Sequence, residues 1–98
     1  MSEGKQHKII IDIAREGKRL CFLDFETKSL IYFYDFPFRK FEARDITAAL
    51  GVYLNICKVL PNIILTDNSI LFDCNFTTHC INNNIIHEKI KPYSSVKI

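Results

Sequence analysis

The spacing of apolar residues changes twice along this chain, and that change restricts the fold more than any single motif does. From Lys8 to Phe36 the apolar residues fall into three short runs. Lys8 to Ala14 is almost continuously aliphatic, interrupted by Asp12, and Arg19 to Phe25 is apolar around Asp24. Leu30 to Phe36 alternates aromatic and aliphatic residues up to Pro37, and Glu16-Gly17 and Thr27-Lys28-Ser29 supply the turns. Short runs punctuated in this way predict an antiparallel meander of three strands. Between Ala43 and Leu60 the spacing becomes helical, with Ile46, Ala49, Leu50, Tyr53, Leu54 and Cys57 on one face. Asp45 suits the start of that helix and Pro61 its end. Gly51 inside it costs about 1 kcal/mol relative to Ala. Ile63 to Thr66 then reads as an apolar strand in a sheet interior.

Past Asp67, residues Asn75 to Asn83 predict a short helix, capped by Asp73 and followed by Asn84 in the left-handed position that ends helices. Ile85 to Lys89 predicts a last strand. The order is strand, strand, strand, helix, strand, helix, strand. It predicts an α/β fold, a mixed five-stranded sheet with helices on its faces and a right-handed crossover. The domain is expected over residues 8–93, with a flexible segment at 1–7 and the start of a loop at 94–98.

Ninety-eight residues make one domain. The emphasis on Ile, Phe and Tyr favours sheet, and a formal charge of +2 permits contact with a polyanion without arguing for one. No apolar run reaches the roughly eighteen residues of a membrane span, and Met1 to Lys8 lacks the apolar stretch of a secretory signal. Cys21, Cys57, Cys74 and Cys80 form no C-x-x-C pair and read as reduced thiols of an intracellular protein. A zinc site from Cys74, His79, Cys80 and His87 matches no common ligand spacing.

Two acids stand out. Asp67 ends an apolar run and opens the polar turn Asp67-Asn68-Ser69, which is how a carboxylate is presented at a sheet rim. Those residue types also form plain turns. Asp12 lies within Ile9-Ile10-Ile11-Asp12-Ile13, where an unpaired carboxylate is costly to bury. It needs a solvated rim, a cation or a donor, and Lys8, Arg15 and Lys18 offer a purely structural pairing. If the strands carrying Asp12 and Asp67 are neighbours, the two carboxylates repel each other unless a hard cation such as Mg²⁺ or Mn²⁺ separates them.

The chain resembles the catalytic core of retroviral integrases and related transposases, within the RNase H-like superfamily. The resemblance covers roughly Lys8 to Tyr93. Thr66-Asp67-Asn68-Ser69-Ile70-Leu71-Phe72 is similar to the family's T-D-N-G-x-x-F, and Asn84-Ile85-Ile86-His87 through Pro92-Tyr93 is similar to G-I-x-H-x-x-x-x-P-Y. Ile11-Asp12-Ile13 matches the strand of the first acid, and the separation 67 − 12 = 55 suits the first two acids. The resemblance implies that Asp12 and Asp67 are catalytic and bind Mg²⁺ or Mn²⁺ for DNA phosphoryl transfer in integration or transposition. It turns Lys89, Lys91 and Asn68 toward nucleic acid, with Arg39-Lys40 less well placed; no organic cofactor is implied.

The departures are specific. Ser69 stands at the family's Gly, Ile9 at its aromatic position and Ala14 at its Thr. The family's third acid, a Glu on a helix after the P-Y segment, has no counterpart through Ile98. Glu88, Asp24 and Asp73 do not replace it convincingly. The resemblance therefore implies a core that is weak or inactive alone. A sheet face left uncovered implies a homodimer or larger assembly. The alternatives are a non-catalytic interaction or oligomerisation module, a relic of a mobile element, and an unrelated small α/β binding protein.

Overall fold

The computed structural model describes residues 6–90. The expectations for residues 1–5, Lys91, Pro92-Tyr93 and 94–98 lie outside that range. Three strands come first: β1 (Lys8–Ala14), β2 (Arg19–Asp24) and β3 (Leu30–Asp35). Helix α1 (Ala43–Ile56), strand β4 (Ile63–Thr66), helix α2 (Cys74–Asn82) and strand β5 (Ile86–Lys89) follow. The five strands form one sheet in the order β3-β2-β1-β4-β5. The meander is antiparallel, whereas β4 runs parallel to both β1 and β5. This is the mixed five-stranded sheet that the changes in apolar spacing predict.

Alternation along the strands decides which residues meet the helices. Ile9, Ile11, Leu20, Phe22 and Ile64 form a buried core with Ile46, Ala49, Leu50 and Tyr53 of α1 and Phe76 and Cys80 of α2. Both helices therefore pack on one sheet face. Phe22 stacks on Tyr53 at 4.5 Å between ring centroids, and Phe72 meets Phe76 edge-on at 5.2 Å. The opposite face begins with Ile10, Asp12, Cys21 and Leu23, none of them buried.

Local chemistry sets the helix ends. Asp45 accepts from the Glu42 backbone N–H at 2.8 Å and from the Arg39 guanidinium at 2.7 and 3.2 Å, closing the first turn of α1. α1 stops at Ile56, four residues before the expected Leu60. Cys57 is already extended, with ψ 147°. Leu60 precedes proline and is biased away from helix, and the chain needs residues 57–62 to reach β4. Asp73 caps α2 by accepting from the N–H groups of Asn75 and Phe76. At its far end Asn84 is left-handed, with φ 62°. The Asn84 and Ile85 N–H groups donate to the Ile81 and Cys80 carbonyls at 2.9 Å each, a Schellman closure.

Candidate metal and nucleic-acid site

The register of β1 on β4 pairs Ile10 with Leu65. Two residues further along each strand (12 − 10 = 2, 67 − 65 = 2) come Asp12 and Asp67. Strands that run parallel keep register partners on the same face. Asp12 is on the sheet side away from the helices, and Asp67 follows the last residue of β4, so the two acids come at the same end of neighbouring strands. Pairing between β1 and β4 ends at Ile10, and β4 itself ends at Thr66. Asp12 and Asp67 consequently stand where the strands part, and both are exposed.

Each carboxylate is partly committed. Asp12 Oδ1 accepts from the Ile13 N–H at 3.0 Å, and Asp67 Oδ1 accepts from the Ser69 N–H at 2.9 Å. The Ser69 hydroxyl in turn accepts from the Leu71 N–H at 3.1 Å. Asp67-Asn68-Ser69 is therefore a turn closed by side chains, and Ser69 has no positive φ. Ser in place of the family's Gly is therefore no burden here, since no left-handed residue is needed. Neither Oδ2 has a hydrogen-bond partner among the described residues. Two hard, outward oxygen donors fit Mg²⁺ or Mn²⁺. Among the described residues no three His, Cys, Asp or Glu side chains group as a metal cage.

The other expected site residues fall in different places. Asn68 is exposed in the same turn, and Lys89 is exposed at the end of β5, paired in register with Thr66. Lys91 lies outside the described residues. Arg39 is tied to Asp45 and lies over the Phe36 ring at 4.7 Å, so its charge is spent on α1. Glu88 pairs with Leu65 on the open face and is exposed. Asp24 accepts from the Thr27 and Glu26 N–H groups and the Thr27 hydroxyl, which holds its carboxyl below the usual range; it ends β2 and closes the turn that follows. Cys80 is buried in the core, and burial pushes its thiol up to about 12.

Sequence reasoning named His87 but not what it touches. His87 bonds the Thr66 hydroxyl through Nε2 and the Thr77 hydroxyl through Nδ1, each at 2.8 Å, and meets the Phe76 ring edge-on at 4.8 Å. Both ring nitrogens are thereby engaged. Burial, with Lys89 nearby, lowers its pKa. The Thr66 and Thr77 hydroxyls carry no periodic signal; only the fold brings them to His87.

No protein-family model matches the sequence, and no curated protein does. Solved structures do match its fold. The catalytic core domain of BIV integrase aligns with a TM-score of 0.73 and 13% identity, over 91% of this chain and 57% of that one. A simian T-cell lymphotropic virus intasome in complex with the PP2A regulatory subunit B56 gamma aligns at 0.68 and 18%, over 90% and 33%. The HTLV-2 integrase catalytic core domain in complex with magnesium, in a dimeric form, aligns at 0.66 and 15%, over 92% and 64%. The chain has the integrase-core, RNase H-like fold. It spans less than two thirds of each of these matched chains.

Proposed function

We propose that this chain is an integrase- or transposase-like catalytic core for metal-dependent DNA phosphoryl transfer. One observation supports the reading: Asp12 of β1 and Asp67, just past the end of the neighbouring parallel strand β4, come at the same end of the two strands, both exposed. When bound, Mg²⁺ or Mn²⁺ supplies Lewis-acid activation of the attacking and leaving oxygens of a phosphodiester. The residues contribute position. Asp12 is fixed by its strand and Asp67 by its turn; Asn68 of the same turn is the nearer contact to nucleic acid, and Lys89, in register with Thr66 on the helix side, would reach it from the end of β5. Lys91 is assigned to the same contact from the sequence alone. The HTLV-2 core in complex with magnesium and in a dimeric form supports both the cation and a homodimer or larger assembly for this chain.

Mn²⁺ titration followed by electron paramagnetic resonance tests the reading. The expected result is one weak site that Asp12→Asn and Asp67→Asn each abolish; Mn²⁺ uptake indifferent to both substitutions sinks it. A second reading, a non-catalytic interaction module of the same fold, is favoured by the lack of any third His, Cys, Asp or Glu grouped with the two acids among the described residues. Intact Mn²⁺ binding without any strand transfer on oligonucleotide substrates would select it.

A further inference from the structure

Behind Asp67, one hydroxyl fixes the direction of a hydrogen-bond chain. The Thr66 hydroxyl donates to the Asp67 carbonyl oxygen at 3.0 Å and lies 2.8 Å from His87 Nε2. A hydroxyl has a single hydrogen, and a carbonyl can only accept. Thr66 therefore accepts from His87, and the imidazole carries its proton on Nε2. Nδ1 is then an acceptor, and the Thr77 hydroxyl, 2.8 Å away, donates to it. The chain runs one way, from Thr77 through His87 and Thr66 to the peptide carbonyl of Asp67. The sheet makes it possible: Ile64 pairs with His87 and Thr66 with Lys89, so the ring reaches Thr66 along the diagonal on the helix side.

We propose that His87, held as the Nε2–H tautomer, is a positioning residue that acts through Thr66 to fix the Asp67 peptide and hence the place of its carboxylate. Thr66 is only 1% exposed, so its hydroxyl has no water to turn to. Phe76 closes one side of the ring. Burial favours the neutral imidazole, the state this chain of donors requires. The consequence for metal binding rests on the proposed role of Asp67; the tautomer and the order of the turn do not.

Long-range ¹H–¹⁵N spectra of the His87 ring at neutral pH should show a single Nε2–H tautomer. An Nδ1–H tautomer or an averaged mixture overturns the proposal. Thr66→Val keeps the branched shape and removes the hydroxyl. It should lower the backbone order parameters of Asn68 and Ser69 from about 0.85 toward 0.6 while Phe76 stays rigid. Thr66→Ser should preserve them. Unchanged order in Thr66→Val overturns the proposal, and should that variant not fold, the wild-type tautomer decides. Mn²⁺ binding should weaken about fivefold in Thr66→Val and be retained in Thr66→Ser, the effect of one hydrogen bond. Equal affinities in the two variants remove the positioning role. A wild-type protein that takes up no Mn²⁺ defeats the metal reading instead, and the tautomer and order measurements still judge this one.

Discussion

Gly51 sits mid-helix in α1 with the His79 ring of α2 against it. A Cβ built there would lie 3.6 Å from His79 Cε1, an ordinary contact. The space exists, so Gly51→Ala should raise stability by about 0.5–1 kcal/mol through helix propensity, read as a higher urea midpoint. A lower midpoint would show that the two helices need a closer approach there. Asn84, left-handed at φ 62°, offers the converse test: Asn84→Ala should lower the thermal midpoint, because Ala tolerates that conformation poorly. The cap at Asp73 and the left-handed Asn84 were legible in the sequence, since each depends on neighbours within a few positions. His79 against Gly51 was not, because it joins residues of different helices. The Thr66–His87 bond was equally hidden, spanning 21 positions.

Among the elements, β5 is held to β4 and α2 by His87, and its charge state sets how firmly. The folded pKa of His87 is lowered, so folded chains bind fewer protons than unfolded ones once the pH drops below the ordinary histidine value of about 6.5. Stability should be full above that value and decline as the pH falls through the lower folded value. Urea midpoints between pH 7.5 and 5 should show the decline, and His87→Gln should flatten it; an equal slope in both proteins refutes the assignment. Asp24, Asp35 and Asp45 are also lowered, by Thr27, Arg19 and Arg39 respectively. Their contribution is present above about pH 4 and is lost on further acidification. Element types and order were readable because each period is local, and most boundaries fell within one residue. The exception was the end of α1. Cys57 and Leu60 continue the helical spacing, but the connection to β4 takes them.

For the whole molecule, the dominant fact is that both helices lie on one side of the sheet. On the uncovered side Phe33 and Ile86, at the two edge strands, remain 43% and 56% exposed, and exposed apolar side chains favour self-association. Sedimentation should show a dimer or larger species that grows with concentration. Phe33→Glu, which places a carboxylate beside the Arg19 guanidinium now 4.2 Å from the ring centroid, should shift it toward monomer. A clean monomer at high concentration would contradict the assembly. The sheet was legible because its apolar runs are short and separated by turn residues. Which face the helices cover was not, since a strand's alternation marks two faces without saying which one a helix will take. Among the described residues, no helix is long and apolar enough to cross a membrane.

The position of β4 has a consequence for biosynthesis. It is the inner strand between β1 and β5, and all four of its residues are buried. Its partner β5 follows it in the chain, after α2. On the ribosome, Ile63-Ile64-Leu65-Thr66 emerges before the strand that covers its outer edge. For that interval the nascent chain exposes an uncharged aliphatic strand edge, and chaperones or neighbouring nascent chains compete with β5 for it.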